Sequence, residues 1–310
     1  MNRWRVRSVS AWIEIHFYFV LLPGSSVKCL LFALAGMSLF ASVAVADDVP
    51  TGLRYPIGVA VSAQSDVYVA DRKLPGVWKI TAGKPTVYFQ ASKKFRTPLN
   101  AIRCIAVDQA GRVIAGDSAT RDVYRVDDQG KVTSLAGGQI GIPTAIAIGR
   151  DGEIFVADLD RQQIYSLPSD GTKQPKVIAK VPAPRGLAVI PDGGLLVLSS
   201  TNPQGQILEV SLDGKVSVKG ATSFGMPHKI VRMDDGTLFV TDNYQRCVWK
   251  VPSGGMPEKW VTGAPLDRPV GLCRMGDQLL VTDPHLKTVF TVGVASGKVS
   301  VFSGGLAQEN

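Results

Sequence analysis

Apolar and polar residues alternate along this chain in short runs, and the runs recur. A β-branched or apolar run ending in Asp reads Val67–Asp71, then Val113–Asp117, Ile154–Asp158, Leu238–Asp242 and Leu279–Asp283. A sixth copy, Leu195–Ser199, ends in Ser instead. Their last residues are spaced by 46, 41, 41, 43 and 41 positions, a period that marks a repeat architecture.

Each copy sits in the same context. Before it runs an apolar segment opened by Pro-x-Gly or a relative: Pro56-Ile57-Gly58, Pro143-Thr144-Ala145, Pro184-Arg185-Gly186, Pro227-His228-Lys229 and Pro269-Val270-Gly271. A tight turn rich in Asp and Gly joins that segment to the signature, as in Arg150-Asp151-Gly152. A loop of about five to seven residues follows. Then comes a third run with an aromatic residue, such as Val77-Trp78-Lys79-Ile80 or Val248-Trp249-Lys250-Val251. A second turn leads into a fourth run, such as Val299–Phe302.

Four short antiparallel strands, six times over, predict an all-β fold: a six-bladed β-propeller of four-stranded antiparallel blades. No window has a strong helical period. Every unit carries its four strands in chain order, so the ring is expected to close without a strand borrowed from the other terminus.

Composition adds a compartment. Arg3, Arg5 and Arg7 precede one apolar stretch, and a second runs from Cys29 to Val45, ending in Ala44-Val45-Ala46 before Asp47-Asp48. A basic start, an apolar run and a small-x-small site read as a secretory signal, cut after Ala46. The expected division is 1–46 as targeting segment and 47–310 as propeller, exported to the periplasm or secreted. The doubled apolar run is explained if translation starts near Val27; an uncleaved segment would instead anchor the chain to a membrane. Beyond residue 46 there are 30 basic and 25 acidic residues, against +8 for the whole chain. The excess is modest and has no Lys/Arg-rich block, so nucleic acid is not an expected partner. Cys104, Cys247 and Cys273 are odd in number, lie in expected strands and match no metal spacing.

The pattern Pro-x-Gly-apolar-Ala-apolar, turn, apolar-aromatic-Val-Ala-Asp, loop, apolar strand resembles the NHL-repeat propellers. It is also similar to the group containing gluconolactonase-like, strictosidine-synthase-like and virginiamycin B lyase proteins, over about residues 52–305. The resemblance implies the propeller fold. For activity it implies several different things, because the group mixes lactonases, lyases and binding scaffolds. From the lyase, a propeller-top His acting as base near a metal carries over only onto His228. The lactonase arrangement of Glu, Asn and Asp around a divalent cation is not visible: Glu153, Glu209, Glu258 and Glu309 are the only Glu residues past position 46, none at an expected axial position.

Propeller topology sorts residues by face. The hairpin turns gather Asp108, Asp151, Asp234 and their relatives on one face, expected to be acidic. The inter-blade connections gather Lys93, Arg103, Arg121, Arg185, Lys229, Arg246, Arg268 and others on the opposite, top face, expected to be basic. Nearest the axis at the top stand Ile57, Arg103, Thr144, Arg185, His228 and Val270. Two guanidinium groups among them suit carboxylate or phosphate recognition. The candidate ligand-binding set is Arg103, Thr144, Arg185, His228, Lys229, Asn243 and His285, with His228 as the candidate catalytic group and no metal ligands assigned. The recurring Asp residues are expected to brace their own loops. The leading expectation is a monomeric binding module for a small anionic molecule or acidic protein segment. The alternatives are a hydrolase or lyase using His228 with a divalent cation, and a protein-interaction scaffold. No cofactor is assigned.

Overall fold

In the computed structural model the described residues are 52–304, without 93, 95, 173 and 202–204. The targeting segment, its cleavage point, the start near Val27, Lys93 and the distal part of the blade-four loop lie outside them. The 24 described strands form six four-stranded antiparallel sheets, each in chain order. In blade one these are β1 (Pro56–Val61), β2 (Val67–Asp71), β3 (Gly76–Thr81) and β4 (Lys84–Gln90). The first strands of successive blades neighbour one another around the axis: β1, β5 (Ile102–Val107), β9 (Pro143–Ile148), β13 (Pro184–Val189), β17 (Pro227–Arg232), β21 (Leu272–Met275), then β1 again. No described helix is long and apolar enough to cross a membrane.

Both faces of each second strand are covered, which is why these strands read as continuous apolar runs. β2, β6 (Val113–Asp117), β10 (Ile154–Asp158), β14 (Leu195–Ser199) and β18 (Leu238–Asp242) are buried at every position; β22 (Gln278–Asp283) is buried beyond its first residue. The described core falls into clusters lying between adjacent blades. Val59, Val69 and Trp78 of blade one pack with Leu280 and Val289 of blade six, closing the ring. Burying each such side chain contributes roughly 1.5–3 kcal/mol, which a lone four-stranded sheet cannot achieve on both faces. Trp78 and Trp249 belong to these cores, as packing rather than as a ligand platform.

The signature Asp does more than brace its own loop. Asp71, fully buried, accepts from Lys73 N and Leu74 N in the following loop. It also accepts from Arg54 N and Tyr55 N in the preceding inter-blade connection, and from Trp78 Nε1. Asp158, Asp242 and Asp283 bridge the same two segments. With the carboxylate organising it, the loop shrinks to four residues in five blades, as in Arg72–Pro75, shorter than its polarity suggests. Blade four has a local reason for Ser199. The first of the connection's two donor positions is Pro182, which has no N–H; Ser199 Oγ instead donates to Pro182 O at 2.6 Å. In blade six the first strand starts only at Leu272, past the Pro269-Val270-Gly271 motif, although Val270 N still donates to Thr282 O at 2.9 Å.

The turn face is less acidic than its composition suggests. Asp108 is paired with Arg112 at 2.8 Å, and Asp234 with Arg274 at 2.8 Å. Arg150 and Arg232 line the cavity of about 600 Å³ at that end of the axis beside Asp108 and Asp234. These carboxylates shape their turns: Asp108 accepts from Ala110 N and Arg112 N.

Candidate functional site

At the top of the axis lies a cavity of about 280 Å³. All six residues expected nearest the axis line it: Ile57, Arg103, Thr144, Arg185, His228 and Val270. They converge because each stands at, or just before, the start of its blade's innermost strand. Lys229 and Asn243 line it too. His285 does not: its exposed imidazole turns outward and its Nδ1 pairs with the Asp267 carboxylate, while the preceding Pro284 occupies the cavity wall.

Arg72, Tyr55 and Met226 also line the cavity, and pattern reasoning passed over them. A signal existed. Arg72, Asn243 and Pro284 each directly follow a signature Asp, and Tyr55 and Met226 each directly precede the motif Pro.

The two arginines are held alike. Arg103 Nε donates to Ser118 Oγ at 3.0 Å, and Ser118 Oγ to Ala101 O at 3.3 Å. Arg185 Nε donates to Ser200 Oγ at 3.2 Å, and Ser200 Oγ to Ala183 O at 3.3 Å. The support thus recurs in blades two and four. Among the described residues the terminal guanidinium nitrogens have no carboxylate partner, so neither arginine pairs with a signature Asp. Other top-face cations do pair: Arg121 with Asp160 at 2.8 Å, Arg246 with Asp267 at 3.2 Å. Thr144 Oγ1 is spent on Ala157 O and Pro184 O. Lys229 Nζ donates to Thr144 O across the axis.

Four cationic side chains, Arg72, Arg103, Arg185 and Lys229, therefore line one cavity with no carboxylate among its lining residues. Burial lowers the pKa of Arg103, with Arg72 and Arg185 adding to the effect, and burial lowers that of Arg185. Asp117 offsets part of this at Arg103, but neither guanidinium has an ion-pair partner among the described residues, an arrangement that favours an anion entering the cavity. The lining does not fit a divalent cation, which takes oxygen ligands such as carboxylates; among the described residues no group of His, Cys, Asp and Glu could hold a metal ion.

His228 is pushed down to about 4, first by burial, then by Arg185 and Lys229. It is neutral at pH 7. Between its ordinary 6.5 and about 4, the unfolded chain binds a proton here that the native state refuses. Stability therefore falls as pH drops through that window and the loss is complete below about 4. The shift corresponds to about 3 kcal/mol. Denaturant unfolding at both ends of the window, compared with His228→Gln, reads this directly: the wild type should lose about 3 kcal/mol more than the variant. Equal losses would mean that the imidazole protonates freely in the folded protein.

No family model matches the chain. It is 27% identical over 226 residues to peptidyl-glycine alpha-amidating monooxygenase A of Xenopus laevis, covering 63% of this chain and 24% of that protein. The B form from the same organism matches equally, at 27% over 226 residues, so the chain spans about a quarter of the length of these relatives. Among solved structures, a Xanthomonas campestris gluconolactonase superposes with a TM-score of 0.65 at 18% identity, covering 82% of this chain and 88% of that one. Virginiamycin B lyase from Staphylococcus aureus superposes with a TM-score of 0.60 at 17% identity, covering 80% and 83%. A chain from a nidogen–laminin complex superposes with a TM-score of 0.64 at 18% identity, covering 81% and 92%. This chain shares its fold, a six-bladed β-propeller, with gluconolactonase-like and virginiamycin B lyase-like proteins.

Proposed function

We propose that this protein is an exported binding propeller whose top-face cavity takes a small anionic ligand. One observation carries the reading: four cationic side chains from four blades line the cavity with no carboxylate among its lining residues. Arg103 and Arg185, each fixed through Nε to a serine, offer their remaining N–H groups as forks for a carboxylate or phosphate. The amphibian relatives' name specifies peptidyl-glycine, a chain that ends in a carboxylate, which agrees with this chemistry. An acidic protein segment carries the same groups and is the second occupant we consider.

A thermal-shift screen of the purified protein with mono- and dicarboxylates, phosphate esters and divalent cations tests the reading. Anions should raise the melting temperature by mass action, and added salt should weaken the effect. Stabilisation by divalent cations alone would overturn it.

A hydrolase or lyase is the alternative, favoured by the unprotonated His228 imidazole in the cavity wall. With a pKa of about 4 it is a weak base, and no lining carboxylate orients it. Turnover abolished by His228→Gln with ligand binding intact would put the enzyme first.

A further inference from the structure

The third position of the Pro-x-Gly motif packs closely against the neighbouring blade, while the fourth lines the axial throat, and five blades place a small residue at the third: Gly58, Cys104, Ala145, Gly186 and Gly271. The crowding is measurable. A Cβ at Gly186 would stand 3.0 Å from His228 O, and one at Gly271 would stand 3.0 Å from Gly58 Cα. Blade five puts Lys229 at this position. Its side chain lines both the top cavity and a throat of about 60 Å³ along the axis. Nζ reaches the Thr144 carbonyl of blade three and has no carboxylate partner among the described residues. Burial, with Arg185 adding to it, lowers its pKa, so more of the amine is free base than for an ordinary lysine. An amine desolvated beside other cations is an activated nucleophile toward carbonyl carbon.

We propose that Lys229 forms a Schiff base with a small 2-oxo acid whose carboxylate docks on Arg103 and Arg185. This rests on the anion-site reading above and names its ligand class. The Nζ lone pair attacks the keto carbon, forming the C–N bond while the carbonyl pair moves to oxygen. Nitrogen then gives up its protons to the departing oxygen, the C–O bond breaks, and one water leaves for each C=N formed. No oxidant or reductant is consumed.

The probe is pyruvate. Binding is read by thermal shift without reductant; covalent capture is read by cyanoborohydride reduction, digestion and peptide mass spectrometry. The expected result is a reduced adduct on the Lys229 peptide, absent in Lys229→Arg. That variant keeps the cation but has no amine nucleophile, and its melting curve shows whether it folds. Arg185→Ala should cut pyruvate labelling at least about tenfold, by loss of a charge-assisted hydrogen bond. Labelling by propanal, which lacks the carboxylate, should fall much less, only as far as losing Arg185 lets the Lys229 pKa rise. A thermal shift with no adduct sinks the Schiff base and leaves the anion site standing. Adduct on Lys229 that ignores Arg185→Ala keeps the nucleophile and removes the anion dock. Labelling confined to exposed lysines, with no shift, overturns both.

Discussion

Replacing Asp71 by alanine should destabilise the propeller by about 3–5 kcal/mol, lowering its denaturation midpoint. The carboxylate is fully buried and accepts from four backbone N–H groups and Trp78 Nε1. Its loss leaves those donors unsatisfied in a site that water cannot readily reach. Asp71→Asn should cost less, since one oxygen still accepts, yet its new amide donor faces donors. Blade four supplies the reverse test. Ser199→Asp should be destabilising there, because the new carboxylate would face the Pro182 carbonyl, which Ser199 now donates to, and would find no N–H on Pro182. Pro182→Gly restores that N–H, so the two changes together should cost less than their sum, with a coupling of about 1–2 kcal/mol in a double-mutant cycle. Strict additivity would break the link drawn here between Pro182 and Ser199.

The double change Arg103→Ala/Arg185→Ala should weaken anion binding by roughly 10²–10⁴-fold. Each charge-assisted fork contributes about 1.5–3 kcal/mol, and both are removed. Calorimetric titration with an anion found in the thermal-shift screen measures the loss. The same change should leave the ligand-free protein as stable as the wild type, or more so. Both guanidinium groups are disfavoured by burial, and Arg103 also by its neighbours Arg72 and Arg185. Lysine at both positions should recover part of the affinity, as charge without the planar fork. Unchanged affinity in the alanine variant would remove the two arginines from the site. A large fall in its stability would make them braces for the top loops.

The alternation of apolar and polar positions and the period near forty residues were sufficient to read six four-stranded blades, because both properties are local: strand faces and turns are set by neighbours in sequence. The axial set was legible for the same reason. Once the motif marks where each first strand opens, Ile57, Arg103, Thr144, Arg185, His228 and Val270 must converge, and they do. What could not be read was which charges meet. His285 stands two residues after a signature Asp, yet it turns to Asp267, a partner from the preceding connection. The turn carboxylates looked like an acidic face, but Arg112 and Arg274 neutralise two of them, the latter from 40 positions away. Lys229 meets Thr144 across 85 positions. By itself the sequence determined the blades, their order and the ring of residues at the axis. The tertiary structure alone decided that this ring is a desolvated cationic cavity, because pairing and burial depend on distances between blades that no local pattern encodes.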